Sequence, residues 1–370
     1  MQKLISIVII SILLVGTAAL LLKNRIGDIR PAILPPAERS VSGKVTITEN
    51  PEKISFPVNV NDISRVEIFS DNLGGVRDLE FSPGGTLLAS IPSSGKIVAL
   101  PEKKNILTGL KKPHGISFFK GNLFVAEEQK ITRYFWDEEK LEAKKDKELF
   151  ILPKGGNHFT RTIAFNKAGQ MFVSIGSTCD VCFEKHPFLA AVIVSDADGA
   201  SPKLFAKGLR NSVFIAVNSS TDELWGTEMG RDFLGDNLPP DEINIIKEGR
   251  DYGWPNCFGN KVHDTKFSDQ PQKERTCEAT EAPVYEIAAH SAPLGLAFDE
   301  NHLYVAYHGS WNRSTPIGYK VVRFDVSGNS LSNEQDLITG FISGSEAVGR
   351  PVDMVFDKEG SMYLSDDKAG

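Results

Sequence analysis

A carboxylate-rich segment offers the first candidate site for chemistry. Residues 227–259 (TEMGRDFLGDNLPPDEINIIKEGRDYGWPNCFG) contain so much Gly, Pro, Asp and Asn that they predict a long shaped loop. Carboxylates and carbonyls of this kind suit a hard cation such as calcium. The sequence lacks the DxDxDG spacing of an EF-hand, and a solvated acidic loop is the alternative. The acidic residues are Glu228, Asp232, Asp236, Asp241 and Glu242.

Histidine and arginine residues recur at one position of the sequence pattern, immediately before a short apolar run. Loops before equivalent strands of a repeated β-fold lie at the same end, so we expect these side chains to converge on one channel mouth. A lone histidine is more often structural, but the recurrence makes His158 the candidate functional residue, with Arg161 as its support. The residues at this position are His114 in KKPHGISFF, His158 in GGNHFTRTIAF, Arg210 and Asn211 in KGLRNSVF, and Arg350 in VGRPVDMVF.

The four cysteines form two local pairs. Cys179 and Cys182 stand as Cys-x-x-Cys, while Cys257 and Cys277 bracket an excursion of the chain. A zinc site is disfavoured because the second pair lacks Cys-x-x-Cys spacing, and a thioredoxin-like role would need a helix in a βαβ context. Two disulfides that staple loops fit best, and they indicate a body outside the cytoplasmic membrane.

The elements that must position these residues form a repeat. A period-2 apolar strand, a Gly/Asp/Asn turn and a second apolar strand recur along the chain. Six units over about 305 residues give about 51 residues each, near the length of a four-stranded propeller blade. We therefore predict an all-β fold, a six-bladed β-propeller over residues 61–370, with a sandwich of irregular hairpins as the alternative. The paired runs are VRDLEF and TLLAS, GISFF and NLFVAE, RTIAF and QMFVSIG, SVFIAV and ELWGTE, LGLAF and HLYVAY, and PVDMVF and SMYLSD.

Two irregularities accompany the repeat. The longest gap between units predicts an insertion within residues 228–290. The last unit lacks a following strand, and residues 62–70 (DISRVEIFS) are expected to supply part of the closure from the N-terminal side.

The N-terminal residues predict export. Leu4–Leu22 is an uncharged stretch of 19 residues, which at about 1.5 Å each spans roughly 29 Å, enough to cross a bilayer core. Residues 1–25 are thus either a signal peptide cleaved near Ala18–Ala19 or a retained membrane anchor, which the apolar Leu20–Leu22 favours. Residues 26–60, with their prolines, are expected to form an extended tether. The expected location is periplasmic or at the cell surface.

Composition excludes several classes of function. The chain of 370 residues has a net charge of −7 and no long run of Lys and Arg, which argues against a nucleic-acid binder that neutralises phosphates. Its 41% hydrophobic and 24% charged residues indicate a globular rather than a disordered chain.

Several motifs, taken together and in order, resemble one known family. GNHFTRTIAF, SIGSTCDVC, GLRNSVF, LWGTEMGRD, PPDEINIIKEGRDYGWPNC, HGSWNRSTPIGYKVVRF and GRPVDMVFDKEG are similar to the soluble quinoprotein sugar dehydrogenases, the glucose/sorbosone dehydrogenase family. The resemblance runs from about residue 70 to the end and is closer to the sorbosone- or aldose-type branch. It implies a six-bladed propeller that holds pyrroloquinoline quinone (PQQ) and calcium in the channel mouth.

The resemblance also implies roles for individual residues. His158 matches the catalytic base, which takes the proton of a sugar hydroxyl as hydride moves to PQQ. Arg210 and Asn211 match residues beside the quinone oxygens, where an arginine stabilises negative charge. Arg350 matches a basic residue that pairs with the PQQ carboxylates. The matching calcium ligands are the carbonyls of Gly230 and Arg231 for the PQQ calcium, and Glu242 with the carbonyl of Tyr252 for a second, structural calcium.

The chain departs from the family pattern at three positions. Arg350-Pro351-Val352 stands where the glucose enzymes carry Arg-x-Arg, which removes one carboxylate contact. The lysine expected near residues 316–318 is absent, and Arg313 or Lys320 is the expected substitute. Arg231 replaces a proline at the first calcium site.

The leading hypothesis is a PQQ- and calcium-dependent dehydrogenase of an aldose or sorbosone-like sugar, with an electron acceptor that the sequence does not identify. A calcium-dependent lactonase on a similar propeller is the first alternative, and it would need carboxylates around a metal at the channel axis. A non-catalytic propeller that is tethered to the membrane and binds a sugar or a protein is the second.

Overall fold

The computed structural model describes residues 29, 59–60, 66–267 and 276–370, and nearly all regular structure in them is β-strand. The apolar segment within residues 1–25 and most of the predicted tether lie outside these ranges. Within the described ranges, no helix has the length and apolar character needed to span a membrane. The helical structure there is one 3-10 turn, Cys277–Ala279.

Five antiparallel sheets of four or five strands follow one another along the chain, each in sequential order. The first strand, β1 (Asn59–Val60), joins the fifth sheet by pairing with its outermost strand. Blade 1 contains β2 (Leu79–Phe81), β3 (Leu87–Ile91), β4 (Lys96–Leu100) and β5 (Lys104–Leu107). Blade 2 contains β6 (Ile116–Phe119), β7 (Asn122–Glu127), β8 (Lys130–Asp137) and β9 (Glu142–Ile151). Blade 3 contains β10 (Arg161–Phe165), β11 (Gln170–Ile175), β12 (Ala191–Asp196) and β13 (Lys203–Lys207).

The second half of the chain is less regular. Blade 4 contains β14 (Ile215–Val217), β15 (Leu224–Glu228), β16 (Asp241–Ile246) and β19 (Tyr285–Ile287), with the hairpin β17 (Cys257–Phe258) and β18 (Val262–His263) between its last two strands. Blade 5 contains β20 (Pro293–Phe298), β21 (His302–Tyr307), β22 (Lys320–Ser327) and β23 (Ser330–Thr339). A small hairpin of β24 (Ile342–Ser343) and β25 (Glu346–Ala347) leads to β26 (Pro351–Phe356) and β27 (Met362–Asp366), which form a two-stranded sheet.

Burial follows from the stacking of neighbouring sheets around an axis. The second strand of a blade is covered on both faces by adjacent sheets, and β11 is accordingly buried at every position except its first. The outermost strand β23 is mostly exposed and polar. One apolar cluster crosses three sheets, since Trp225 of blade 4 and Leu303 of blade 5 share it with Val352 of β26.

The prediction of six blades is wrong as a count of complete sheets. The described residues form five sheets of four or five strands, and the sixth unit is the β26–β27 hairpin between blades 5 and 1. Of residues 62–70, expected to supply part of the closure, residues 62–65 lie outside the described ranges and residues 66–70 form no strand. Gly74 and Gly75, with φ of 57° and 84°, turn the chain just after them, so this segment cannot run on as an extended strand into blade 1. Phe69 instead packs edge-on against Tyr363, with ring centroids 5.0 Å apart.

The insertion after blade 4's second strand falls in two parts. Residues 229–240 connect β15 to β16, and residues 247–284 connect β16 to β19. The second part runs beside blade 3, where Lys207 and Asp251 form a parallel bridge. It also carries one of the two disulfides, Cys257–Cys277.

One face of the propeller collects the candidate residues. Antiparallel pairing places the start of each inner strand opposite the end of the next strand, as for Arg161 with Ile175 and Pro351 with Asp366. The loops before inner strands therefore share a face with the loops after second strands. We call this the site face; its loops are residues 66–78, 92–95, 108–115, 128–129, 152–160, 176–190, 208–214, 229–240, 288–292, 308–319, 348–350 and 367–370.

Candidate active site

His158 is held through one ring nitrogen and leaves the other free. Its Nδ1 lies 2.8 Å from Ser177 Oγ and 3.1 Å from the Ser177 carbonyl oxygen. Ser177 Oγ donates to the carbonyl of Cys179 at 2.6 Å, so it accepts from Nδ1–H. This fixes the tautomer in which Nε2 is unprotonated, and Nε2 has no hydrogen-bond partner among the described residues. A Cβ on Gly176 would lie 2.6 Å from His158 Cβ, so the glycine makes room for the ring.

The surroundings keep His158 neutral. Burial lowers the pKa of His158 to about 3, and the positive charge of Arg210 acts in the same direction. Arg161, expected to support His158, contacts its backbone and not its ring. Its Nη1 donates to the His158 carbonyl at 3.0 Å and to the Thr160 carbonyl at 2.7 Å. The imidazole is therefore unprotonated at neutral pH, with the lone pair of Nε2 open to a proton donor.

Arg210 lies at the centre of an ionic cluster. Its Nη2 is 2.7 Å from Asp180 Oδ1 and 3.4 Å from Asp232 Oδ2, and its Nε donates to the Asp180 carbonyl at 2.8 Å. The side chain is only 6% exposed. We call Asp180, Arg210 and Asp232 the Arg210 cluster. With two carboxylates around one guanidinium, the cluster has a net negative formal charge.

Asn211 has polar atoms that the protein leaves unsatisfied. Its Oδ1 is buried and has no partner, and its Nδ2 has only the Met229 sulphur at 3.6 Å. A Cβ on Gly176 would lie 2.9 Å from that Oδ1. A buried amide with both groups open is a site for a ligand that carries donors and acceptors.

A small cavity beside blade 4 gathers all four residues predicted to hold metal. Glu228 and Glu242 lie opposite each other in the β15–β16 pair, so their side chains share a face. The cavity beside them has a volume of about 30 Å³, which accommodates one water molecule or ion. Its lining includes Gly230, Arg231, Glu242 and Tyr252, together with Arg210, Glu228, Met229, Gly208, Trp254, Pro255, Cys257 and Phe258.

The two glutamates are buried and accept hydrogen bonds from neighbouring groups. Glu228 accepts from Asn211 N at 2.7 Å and Ser212 Oγ at 2.5 Å, and Glu242 accepts from Gly259 N at 2.7 Å. Burial raises the pKa of Glu228 to about 8 and raises that of Glu242. Adjacent carboxylates in such a place suit a divalent cation, which would favour their ionised form. The Arg231 side chain points elsewhere and pairs with Asp264 at 2.8 Å, so only its carbonyl could serve as a ligand.

The other predicted basic residues are fixed in the wall of blade 5. Arg350 Nε donates to the His308 carbonyl at 3.0 Å, its Nη2 donates to the Gly309 carbonyl, and its guanidinium lies 5.4 Å from the centre of the Tyr319 ring. Burial lowers the pKa of Arg350.

Arg313 and Lys320, the two expected substitutes for the missing lysine, have partners of their own. Arg313 donates to the Ala289 carbonyl at 2.9 Å and to Asn237 Oδ1 at 3.1 Å. Lys320 pairs with Asp336 on the outer strand of blade 5. Within the described ranges, no hydrogen bond or ion pair joins Arg350 or Arg313 to His158 or Arg210.

Sequence reasoning missed residues that organise the site. Both predicted disulfides are confirmed, and Cys179–Cys182 closes a loop whose Asp180 bonds Arg210, Asp232 N and, through its carbonyl, Trp254 Nε1. The sequence signal for Asp180 is an acidic residue within a Cys-x-x-Cys motif, and a search for metal ligands does not select it. His114 is buried in the wall, where its Nδ1 lies 3.2 Å from the Arg161 carbonyl, and it does not reach the mouth.

Comparisons with known proteins agree with this architecture. Residues 65–370 match the family model described as TrAA12-like. An uncharacterized protein of Borreliella burgdorferi is 30% identical over 351 residues, which cover 87% of this chain and 91% of that protein. A pyrroloquinoline quinone-dependent pyranose dehydrogenase of Coprinopsis cinerea is 30% identical over 283 residues; these cover 58% of this chain but only 39% of that longer enzyme. The calcium structure of a Trichoderma reesei family AA12 protein superposes with a TM-score of 0.74 at 18% identity, covering 87% of this chain and 97% of the other.

Proposed function

The chain belongs to the TrAA12-like family, and on that premise we propose that it is a sugar dehydrogenase that uses PQQ and calcium. The observation that carries the proposal is His158, a neutral imidazole whose Nδ1 is bound and whose Nε2 is free beside Arg210 and Asn211. Oxidation of a CH–OH group needs a base for the hydroxyl proton and an acceptor for hydride. Protein side chains supply the first and not the second, so the reaction requires a redox cofactor.

The residues of the chain divide the work as follows. His158 Nε2 accepts the proton of the substrate hydroxyl, while Ser177 holds Nδ1–H and so keeps the ring oriented. Arg210, fixed by Asp180, directs positive charge toward the place where negative charge develops. PQQ, when bound, supplies the two-electron acceptor for hydride. The open amide of Asn211 fits a cofactor that carries both carbonyls and N–H groups.

We propose that calcium binds at the cavity beside blade 4. The carbonyls of Gly230 and Arg231, with Glu242 and the carbonyl of Tyr252, would hold it, and Glu228 adds a second carboxylate. A divalent ion there offsets the negative charge of the two glutamates and of the nearby Arg210 cluster. Arg350 and Arg313 bond neutral oxygens and keep their charge, so this ion would add to the positive charge available to an anionic cofactor.

The remaining expectations from the sequence stand as part of this proposal. We infer that β26–β27 occupies the position of a sixth blade, since it packs between blades 5 and 1. We also propose that residues 1–25 direct export, as a signal peptide or a membrane anchor. The tether predicted for residues 26–60 ends before Asn59–Val60, because these two residues pair with blade 5 as β1. The two disulfides support a periplasmic or cell-surface location. The substrate class is an aldose or sorbosone-like sugar.

The dehydrogenase is favoured over a calcium lactonase by the bonding of the axial carboxylates. Asp78 Oδ2 accepts from Ile116 N and Asp353 Oδ2 accepts from Leu79 N, each at 2.9 Å. These bonds engage one oxygen of each acid in joining adjacent sheets.

The test is turnover by the purified chain with and without each cofactor. With added PQQ and calcium, it should reduce an artificial electron acceptor in the presence of at least one sugar of an aldose panel. His158→Ala should bind PQQ, seen as an absorbance difference spectrum, without turnover, while His302→Ala, an outer-surface control, should remain active. If PQQ at micromolar concentration with calcium gives no difference spectrum and no heat of binding, the proposal is refuted. Lactone hydrolysis by the same sample would then support the alternative.

A further inference from the structure

Two aromatic side chains stand exposed at the rim of the site face. Phe233, in the loop 229–240 of blade 4, is 53% exposed, and Trp311, in the loop 308–319 of blade 5, is 37% exposed. Their rings meet edge to face, with centroids 6.1 Å apart and planes at 87°. We call them the aromatic pair.

The backbone of Phe233 pays a conformational cost for this position. Its φ is 67°, in the left-handed region that bulky side chains avoid because Cβ crowds the following carbonyl oxygen. Burial of the ring would offset that cost, but more than half of the side chain faces solvent. A strained, exposed aromatic residue that is not stabilised by packing is a candidate for ligand binding.

The aromatic pair is tied to the Arg210 cluster. Asp232, immediately before Phe233, contacts Arg210 through Oδ2 at 3.4 Å. Through Oδ1 it accepts from Nδ2 of Asn312, immediately after Trp311, at 2.7 Å. Asp232 and Asn312 therefore connect the two loops that carry the aromatic pair to Arg210.

Further bonds hold the two loops together. Asp236 Oδ1 accepts from Ser314 N at 3.0 Å, and Asn237 Oδ1 accepts from Arg313 Nη2 at 3.1 Å. The His290 ring nitrogen Nε2 lies 2.9 Å from the Gly235 carbonyl. These contacts position the rings in advance of any ligand, which lowers the entropy cost of binding.

The chemistry of the rim fits a sugar ring. A pyranose has an apolar C–H face that packs on an aromatic surface and a rim of hydroxyls that bond carboxylates, amides and guanidinium groups. Asn312, whose Oδ1 has no partner among the described residues, and the partly exposed Asp232 carry such groups in the same two loops as the aromatic pair. A docked protein fits less well, because two rings are a small fraction of the roughly 800 Å² that each partner buries in a stable interface.

We propose that Phe233 and Trp311 form a subsite for a second sugar unit, next to the unit that reacts at His158, so that the preferred substrate is a reducing oligosaccharide. The inference rests on the proposed function for the identity of the reacting unit. Sugar binding to the aromatic pair can be tested without turnover, because this binding needs no cofactor.

The first experiment measures binding to the full chain without PQQ. Maltotriose, cellotriose and xylotriose are titrated by calorimetry and by tryptophan fluorescence, each against its monosaccharide. At least one trisaccharide should bind about tenfold more tightly than its monosaccharide, and Trp311→Ala should abolish the difference. Trp311→Phe should restore most of it, while Phe135→Ala, which removes an equally exposed aromatic residue from blade 2, should change nothing. Absence of binding by all three trisaccharides overturns the proposal.

A second variant separates binding from folding. Phe233→Gly removes the ring and relieves the left-handed backbone, so its melting temperature should be unchanged or higher while trisaccharide binding falls about tenfold. A drop in melting temperature without loss of binding would mean that the ring serves stability, and it would overturn the proposal.

Kinetics distinguish this proposal from the proposed function. With PQQ and calcium, Trp311→Ala should raise KM for the oligosaccharide about tenfold and change kcat/KM for the monosaccharide less than twofold. Equal losses for both substrates would place the reacting unit on the aromatic pair, and a loss seen only with a protein electron acceptor would make the rim a docking surface; either overturns the proposal. If trisaccharides bind but nothing is oxidised, the subsite stands and the dehydrogenase function fails.

Discussion

Two ionic clusters of similar composition lie on the site face, and they serve different purposes. The Arg210 cluster joins loops of blades 3 and 4 and has His158 close by. The second cluster, which we call the closing cluster, consists of Arg77, His308 and Asp367 and joins blade 1, blade 5 and the end of β27. Each contains an arginine that is bonded to an aspartate and lies near a histidine.

The difference lies in which nitrogen of each histidine is engaged. His308 Nε2 lies 2.9 Å from Asp367 Oδ1, while Arg77 Nη1 lies 2.6 Å from Asp367 Oδ2, so the histidine is one of two groups that fix this carboxylate. His158 is held through Nδ1 by a serine and keeps Nε2 open. The same residue types therefore join blade 1 to blade 5 at one place and leave an imidazole nitrogen open at the other.

The largest expected effect separates the two histidines. His158→Ala should lower kcat by about 10²–10⁴, the usual contribution of a general base, with little change in melting temperature. His308→Ala should leave kcat within a few-fold but lower the free energy of unfolding by about 1–3 kcal/mol, because Asp367 keeps Arg77 and loses a buried partner. The measurements are steady-state kinetics and thermal unfolding of both variants.

A control and a contrary result complete this test. Added imidazole should partly restore turnover to His158→Ala and not alter His308→Ala. If His308→Ala lost as much turnover as His158→Ala while remaining folded, the closing cluster would belong to the active site and the comparison would fail.

The second prediction concerns the aspartates that hold the two arginines. Asp180→Asn should lower kcat about tenfold, because Arg210 loses its charge-assisted bond at 2.7 Å and its orientation. Opening the Cys179–Cys182 disulfide with a reductant should act in the same direction, since it frees the loop that carries Asp180. Asp367→Asn should chiefly lower the melting temperature. An Asp180→Asn variant with unaltered kcat and KM would show that Arg210 needs no such positioning.

The sequence could predict the features of the fold and the candidate site that depend on local pattern. The period-2 runs identified the inner strands, and the recurrence of polar residues before them identified His158, Arg210 and Asn211. It could not distinguish His158 from His308, because the partner that engages His308 lies far away in the chain, at Asp367. Asp180 was missed for a similar reason, since its contacts with Arg210 and Asp232 exist only after blades 3 and 4 pack together.

The number of blades was overestimated for a physical reason that pattern does not reveal. The last hairpin has the same apolar alternation as the others, and its inner strand packs as theirs do, with Val352 in a shared apolar cluster. Whether a blade is complete depends on outer strands, which are exposed and weakly patterned, such as β23. The N-terminal strand β1 pairs with β23 and thus extends blade 5, which no pattern in residues 26–60 predicts.

The third prediction uses pH to compare the two histidines. Burial lowers the pKa of His158 to about 3 and that of His308 to about 4, from an ordinary value of 6.5. Turnover should therefore not decline between pH 7 and about 4.5 through protonation of His158. The free energy of unfolding should be at its full value above pH 6.5 and fall as the pH drops toward 4. Over this range the two histidines bind protons in the unfolded chain but not in the folded chain.

Replacement of His308 makes the pH prediction specific. In His308→Asn, the loss of stability between pH 6.5 and 4.5 should be smaller than in the original chain by on the order of 2 kcal/mol, as measured by denaturant unfolding at each pH. An acid limb of kcat/KM with a midpoint near 6.5 would contradict the assignment of His158 as a buried, neutral base.

The smallest expected effect tests whether the closing region depends on charge or on hydrogen bonds. Asp78 and Asp353 are buried at the axis near Arg77, and their carboxyl groups face each other across the join between blade 1 and β26. Burial and the neighbouring charge raise the pKa of Asp78, and burial raises that of Asp353 to about 6. A raised pKa stabilises the fold at acidic pH, and this contribution is lost as the pH rises through the folded-state value.

Asp78→Asn removes one charge and keeps an oxygen to accept from Ile116 N. It should therefore raise the free energy of unfolding by about 1 kcal/mol at pH 8, which is about 2 °C in melting temperature, and by less at pH 5. A destabilisation that is equal at both pH values would show that the join depends on the shape and bonding of the carboxylic acid pair rather than on its charge.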